Sequence, residues 1–108
     1  MSETGILVIL STFPDIEIAR KTVRTLVEEK LVACGNIIPG VESIYWWEGK
    51  IEETAEVLVI FKTTISCGSA VQARLKELHP YEVPEIVHLA AQDGWPAYFE
   101  WVRKSVGR

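Results

Sequence analysis

The chain has 108 residues, 48% of them hydrophobic, and a formal net charge of -4. That length suits one domain spanning residues 1–108 and leaves no room for a second. An acidic balance with no basic run argues against nucleic acid and anionic membrane surfaces as partners, and no apolar stretch reaches the roughly 18 residues a membrane helix needs.

Met1-Ser2-Glu3-Thr4 carries neither a basic segment nor a cleavage site, so no secretory signal is expected. The two cysteines, Cys34 and Cys67, lie far apart with no CxxC spacing. A reducing cytoplasm is therefore the expected compartment. Four Trp, three Tyr and three Phe are a large aromatic load for so small an interior. The surplus is expected at a subunit interface.

Residues 6–12 form a continuous apolar run, suited to a strand buried on both faces. Phe13-Pro14-Asp15 stops it, and Asp15 is placed to cap the next segment. There Ile16, Ala19, Val23, Leu26 and Val27 recur at helical spacing among Glu17, Arg20, Lys21, Arg24 and Glu28, which predicts an amphipathic helix. Residues 32–47 read as a long strand interrupted at Pro39-Gly40, the mark of a bulge on an exposed edge. Glu48-Gly49-Lys50 predicts a tight turn. The return strand is polar at Glu52-Glu53-Thr54 and apolar from Val57 to Phe61, so the hairpin should root in the core and project at its tip. Ser66 is the expected cap of a second helix with Val71, Leu75 and Leu78 on its apolar stripe, ended by Pro80. Residues 79–85 form a loop with two prolines, residues 86–91 a short strand, and Pro96 opens a last helix that packs through Phe99, Trp101 and Val102. The order β-α-β-β-α-β plus a C-terminal helix is that of the α+β ferredoxin-like split β-α-β sandwich. Its right-handed crossovers place both main helices on one sheet face.

Few residues offer site chemistry. His79 and Glu85 together suit Cu(II) or Zn(II), with a further ligand needed from another subunit. The plainer reading is a loop histidine pinned beside Pro80 and a carboxylate capping a backbone N–H. Cys34 is either a soft ligand or, as strand cysteines more often are, a small buried apolar residue. Cys67 is expected at the surface. Tyr45, Trp46 and Trp47 alternate faces, so one face cannot bury all three; subunit packing is favoured over ligand stacking. Glu56, Lys62 and Tyr81 are candidates to line a polar cleft between subunits, and His88 is expected to be a surface or interface histidine. A Gly-rich phosphate loop, a GxSxG elbow and an HExxH helix are all missing from the sequence, so a binding protein with no organic cofactor is expected rather than an enzyme.

One ordered set of segments carries a resemblance. Residues 31–40 read LVACGNIIPG and residues 43–53 read SIYWWEGKIEE; Glu56-Val57, Lys62-Thr63 and His79-Pro80-Tyr81-Glu82-Val83-Pro84-Glu85-Ile86 follow. From Ile6 to about Val102 the chain resembles the CutA divalent-cation-tolerance family. The resemblance implies a ferredoxin-like homotrimer, cytoplasmic in bacteria, associated with divalent-metal tolerance and copper binding, with the long hairpin paired against neighbouring subunits. Some members offer a cysteine at the place of Ser11 and paired histidines at the place of Leu78-His79. Those groups, with the glutamate matching Glu85, are the implied metal ligands. This chain keeps His79 and Glu85, and Ser11, Cys34, Tyr45, Trp47, Lys62 and Tyr81 are the expected surroundings in an inter-subunit cleft. The resulting expectation is a trimeric cation-binding protein. An alternative is a PII-like trimer whose Lys62 faces a small anionic metabolite and which signals to an unidentified protein partner. A trimeric platform without a ligand is the third.

Overall fold

The computed structural model describes residues 4–107. Eight segments follow in chain order: β1 (Ile6–Phe13), α1 (Ile16–Glu28), β2 (Cys34–Trp47), β3 (Lys50–Thr64), a 3-10 turn (Ile65–Cys67), α2 (Gly68–Leu78), β4 (Val87–Ala90) and α3 (Pro96–Ser105). The strands form one sheet in the order β2-β3-β1-β4, antiparallel at every pairing. This is the ferredoxin-like order, with the first and third strands in the centre.

The alternation of side chains divides the sheet into two unlike faces. Leu7, Ile9 and Phe13 of β1, with Val57, Val59 and Phe61 of β3, meet Ala19 and Leu26 of α1 and Val71 and Leu75 of α2 in one core. On the opposite face, Ile6 packs with Ala33 and with Val102 of α3, and Phe99 joins them. Covered on both sides at its start, β1 needs an unbroken apolar run. Beyond α3 that second face is bare. Register places Val8, Leu10, Leu58, Ile60 and Ile38 on it together with Val87 and Leu89; Ile38, Val87 and Leu89 are 40%, 42% and 49% exposed.

Local chemistry sets the element ends. Asp15 caps α1 as expected, its Oδ1 accepting the Ile18 N–H at 2.9 Å. The helix closes with Lys30 in the left-handed region at φ 59, the Lys30 N–H on the Val27 carbonyl and the Leu31 N–H on the Leu26 carbonyl, both at 3.0 Å. That is a Schellman closure with lysine where glycine is usual. Glu48 and Gly49, both at positive φ, make the two-residue type I′ turn that joins the hairpin strands. Pro39-Gly40 lies at the register shift between Ile38 and Val41, on edge strand β2, where a missing N–H is tolerated.

The start of α2 differs from expectation. Ser66 does not cap it; its hydroxyl lies 3.1 Å from that of Thr64, within the 3-10 turn. The cap position is Cys67, with no side-chain bond. Gly68 begins the helix because a Cβ there would stand 2.8 Å from Leu7 Cδ2. A side chain at this position would require Leu7 to shift.

Candidate functional site

A pocket of about 670 Å³ opens at the root of the hairpin. The pairings Ser43 with Thr54, Tyr45 with Glu52, Trp47 with Lys50 and Val41 with Glu56 bring Ser43, Tyr45, Trp47, Thr54 and Glu56 to one face by simple alternation. Thr12, at the end of β1, adds to the floor, and the loop after α2 supplies Tyr81, Glu82, Val83 and Glu85. The lining holds three glutamates and no lysine or arginine.

His79 fixes that loop. Pro80 forces it out of the α region, to φ -79 and ψ 134, which ends α2 and turns the imidazole inward. The ring is 8% exposed and stacks on Phe13 with centroids 4.6 Å apart. Its Nε2 lies 2.8 Å from the Thr12 carbonyl, and its Nδ1 accepts the Tyr81 N–H at 3.2 Å. A carbonyl can only accept and an amide N–H can only donate. The imidazole is therefore the neutral tautomer with hydrogen on Nε2. Burial holds its pKa below the ordinary histidine value, with Lys76 acting the same way and the Thr12 bond and Glu56 opposing.

From His79 the chain of contacts continues into the pocket. The Tyr81 ring centroid is 4.9 Å from that of His79, and the Tyr81 hydroxyl donates to Glu56 Oε2 at 2.7 Å. Burial first, and then the adjoining Glu56 carboxylate, push the Tyr81 phenol well above its usual range. Glu56 is itself only 9% exposed.

Of the expected metal pair, Glu85 lines the pocket and His79 lies behind it. With both ring nitrogens hydrogen bonded, His79 presents no free lone pair, so it acts here as a positioning residue. Among the described residues no group of three or more His, Cys, Asp and Glu side chains is placed to hold a metal ion. Tyr45, Trp47 and Tyr81 all line this pocket within one chain. Ser11 does not: it points to the helix-covered face, fully buried, and among the described residues its hydroxyl has no hydrogen-bond partner. Cys34 and Lys62 pair across β2 and β3 toward the other end of the sheet. Cys34 is half-buried rather than buried; its Sγ is 3.7 Å from the Tyr98 hydroxyl, and burial together with that contact pushes the phenol up to about 12. Lys62 donates to the Asn36 side chain. Cys67 is half-buried against the core, not at the surface. Sequence reasoning missed Ser43, Thr54 and Glu82. Continuing the alternation from Tyr45 and Trp47 back to Ser43, and across the turn to Thr54, would have found the strand residues.

Fold and pocket together define a small ferredoxin-like domain with an acidic, aromatic-walled cleft at the root of a long hairpin. The comparisons with known proteins give the family. The model of the CutA1 divalent ion tolerance protein matches residues 7–105, and the chain belongs to that family. It is 46% identical over 100 residues to the divalent-cation tolerance protein CutA of Thermus thermophilus, covering 93% of this chain and 97% of that one. It is 41% identical over 99 residues to the chloroplastic protein CutA 1 of Oryza sativa, covering 92% of this chain and 56% of that longer one. The solved Thermus thermophilus structure superposes with a TM-score of 0.91 at 45% identity, over 94% of this chain and 99% of that one. No helix among the described residues is long and apolar enough to cross a membrane.

Proposed function

We propose that this chain works as a homotrimer that binds divalent cations, Cu(II) among them, through binding and release rather than turnover. The observation that supports the reading is that Glu56, Glu82 and Glu85 line one pocket whose lining holds no basic side chain, without themselves forming a complete ion-holding group. Carboxylate oxygens suit divalent ions. Glu85 and Glu82, on the exposed loop, are the ligands this chain offers, and a neighbouring subunit supplies the rest. His79 enters by holding that loop; to ligate an ion it would first give up Thr12 or Tyr81.

The bare sheet face supports the trimer. Exposed apolar surface of this extent marks an interface, and β2 is a free edge that a second chain can pair. A PII-like site for an anionic metabolite finds no support here: an acidic pocket repels an anion, and Lys62 lies elsewhere. A cytoplasmic setting is part of this reading, supported by two cysteines without CxxC spacing, while one relative is named chloroplastic and one solved neighbour periplasmic.

The test is calorimetric titration of chelator-stripped protein with Cu(II) and Zn(II). Saturation at an integral number of ions per trimer, lost in the Glu82→Gln, Glu85→Gln double variant, is the expected result. An isotherm no different from that of denatured protein would dismiss the reading.

A further inference from the structure

The pocket is larger and more aromatic than a metal ion requires. Glu56 is a carboxylate nine-tenths buried. Among the described residues its one hydrogen-bond partner is the Tyr81 hydroxyl, on Oε2, and no lysine or arginine forms an ion pair with it. A buried charge without a counter-charge is unfavourable, so the site lacks a cation. Tyr81 stands beside Glu56, Tyr45 reaches back toward them with its hydroxyl 3.5 Å from that of Thr54, and Trp47 lines the same pocket farther out, near the hairpin turn. Aromatic faces attract cations, and most strongly when water is excluded. Glu82 and Glu85 add negative charge at the rim. The volume, about 670 Å³, is that of a small organic ligand's site; a bare ion would leave it nearly empty and make little use of the rings.

We propose that this pocket takes a cationic nitrogen head group, an ammonium or guanidinium, seated against Tyr45 and Tyr81 with Glu56 as its counter-ion. Tyr81 fixes one Glu56 oxygen and leaves the other to the ligand. The head group belongs either to a free small amine or to a lysine or arginine side chain of a second copy. The inference goes beyond the divalent-cation reading and stands if no metal binds.

Titration of chelator-treated protein with choline, and separately with its uncharged isostere 3,3-dimethyl-1-butanol, tests it, with subunit mass followed by light scattering across a dilution series. For a free-amine site, choline saturates and the isostere does not. Glu56→Gln then weakens choline about tenfold or more, and Tyr45→Leu about threefold to tenfold. For a side chain of a second copy, choline finds the site filled. In that case Glu56→Gln raises the concentration at which subunits dissociate about tenfold. Tyr45 is 40% exposed, so its variant keeps the choline test valid should Glu56→Gln fail to fold. Equal binding of choline and the isostere overturns the proposal. So does absence of choline binding together with an unchanged dissociation midpoint in Glu56→Gln.

Discussion

The two faces of the sheet have been treated differently. On one, α1 and α2 close over Phe13, Val59, Phe61 and Ile9, each with no exposed surface, and the result is a finished core. On the other, α3 covers only the end of the sheet where β1 begins and β3 finishes, and Val87, Leu89 and Ile38 lie open. The same strands build both, so composition alone does not explain the contrast; what differs is the supply of covering elements. A ferredoxin-like chain has two crossover helices, and both fall on one face. The second face must be covered by an added element or by another chain. Here the added helix is 10 residues long and reaches only one end.

That contrast can be broken from either side. Phe61→Ala, on the closed face, is expected to cost about 3–5 kcal/mol of folding stability, read from urea unfolding. Trp46→Ala on the 71% exposed hairpin should change folding by less than about 0.5 kcal/mol while altering association. Leu89→Glu, on the open face, should leave secondary structure intact. It should raise the concentration for subunit dissociation about a hundredfold, since an unpaired charge in an interface costs several kcal/mol. Unchanged mass on dilution would show that this face is not covered by other copies.

At the margin between the faces, smaller effects are expected. Tyr81→Phe removes the bond to Glu56 and should lower stability by about 1.5–3 kcal/mol. His79 gives a pH dependence of definite sign. Its folded pKa lies below the ordinary value near 6.5, so between the two values the unfolded chain binds more protons. Its contribution is complete above about pH 6.5 and is lost as pH falls below that value. Comparing urea midpoints of wild type and His79→Gln across pH should show the wild type falling more steeply on the acid side. Equal slopes would remove the neutral-tautomer assignment. Smallest of all, Lys30→Gly relieves the left-handed lysine at the end of α1. It should add up to about 1 kcal/mol.

Much of the element order was legible in the sequence, because local rules write it. Asp15 caps α1, Gly49 makes the turn and Pro96 opens α3; each acts on neighbours a few residues away. The family resemblance also held over almost the whole chain. What was not legible depends on distant partners. His79 looked like a ligand because the carbonyl that occupies its Nε2 belongs to Thr12, 67 residues earlier. Ser66 looked like a cap because nothing local reveals that Leu7 crowds the start of α2. Lys62 reads as a companion of Glu56 and Tyr81 in a cleft between subunits. The register of β3 against β2 instead sets it beside Cys34 and Asn36, while Glu56, six residues earlier on the same strand and the same face, reaches the pocket. Ser11 looked available at a cleft, but its parity with Ile9 and Phe13 turns it into the core.

The open face is the centre of this account, and the molar mass in solution tests it most directly. Light scattering on the intact chain at micromolar concentration should give three times the 12.2 kDa of one chain. A mass of 12.2 kDa would mean that the bare face stays in water, and would contradict both the trimer and the shared cation site built on it.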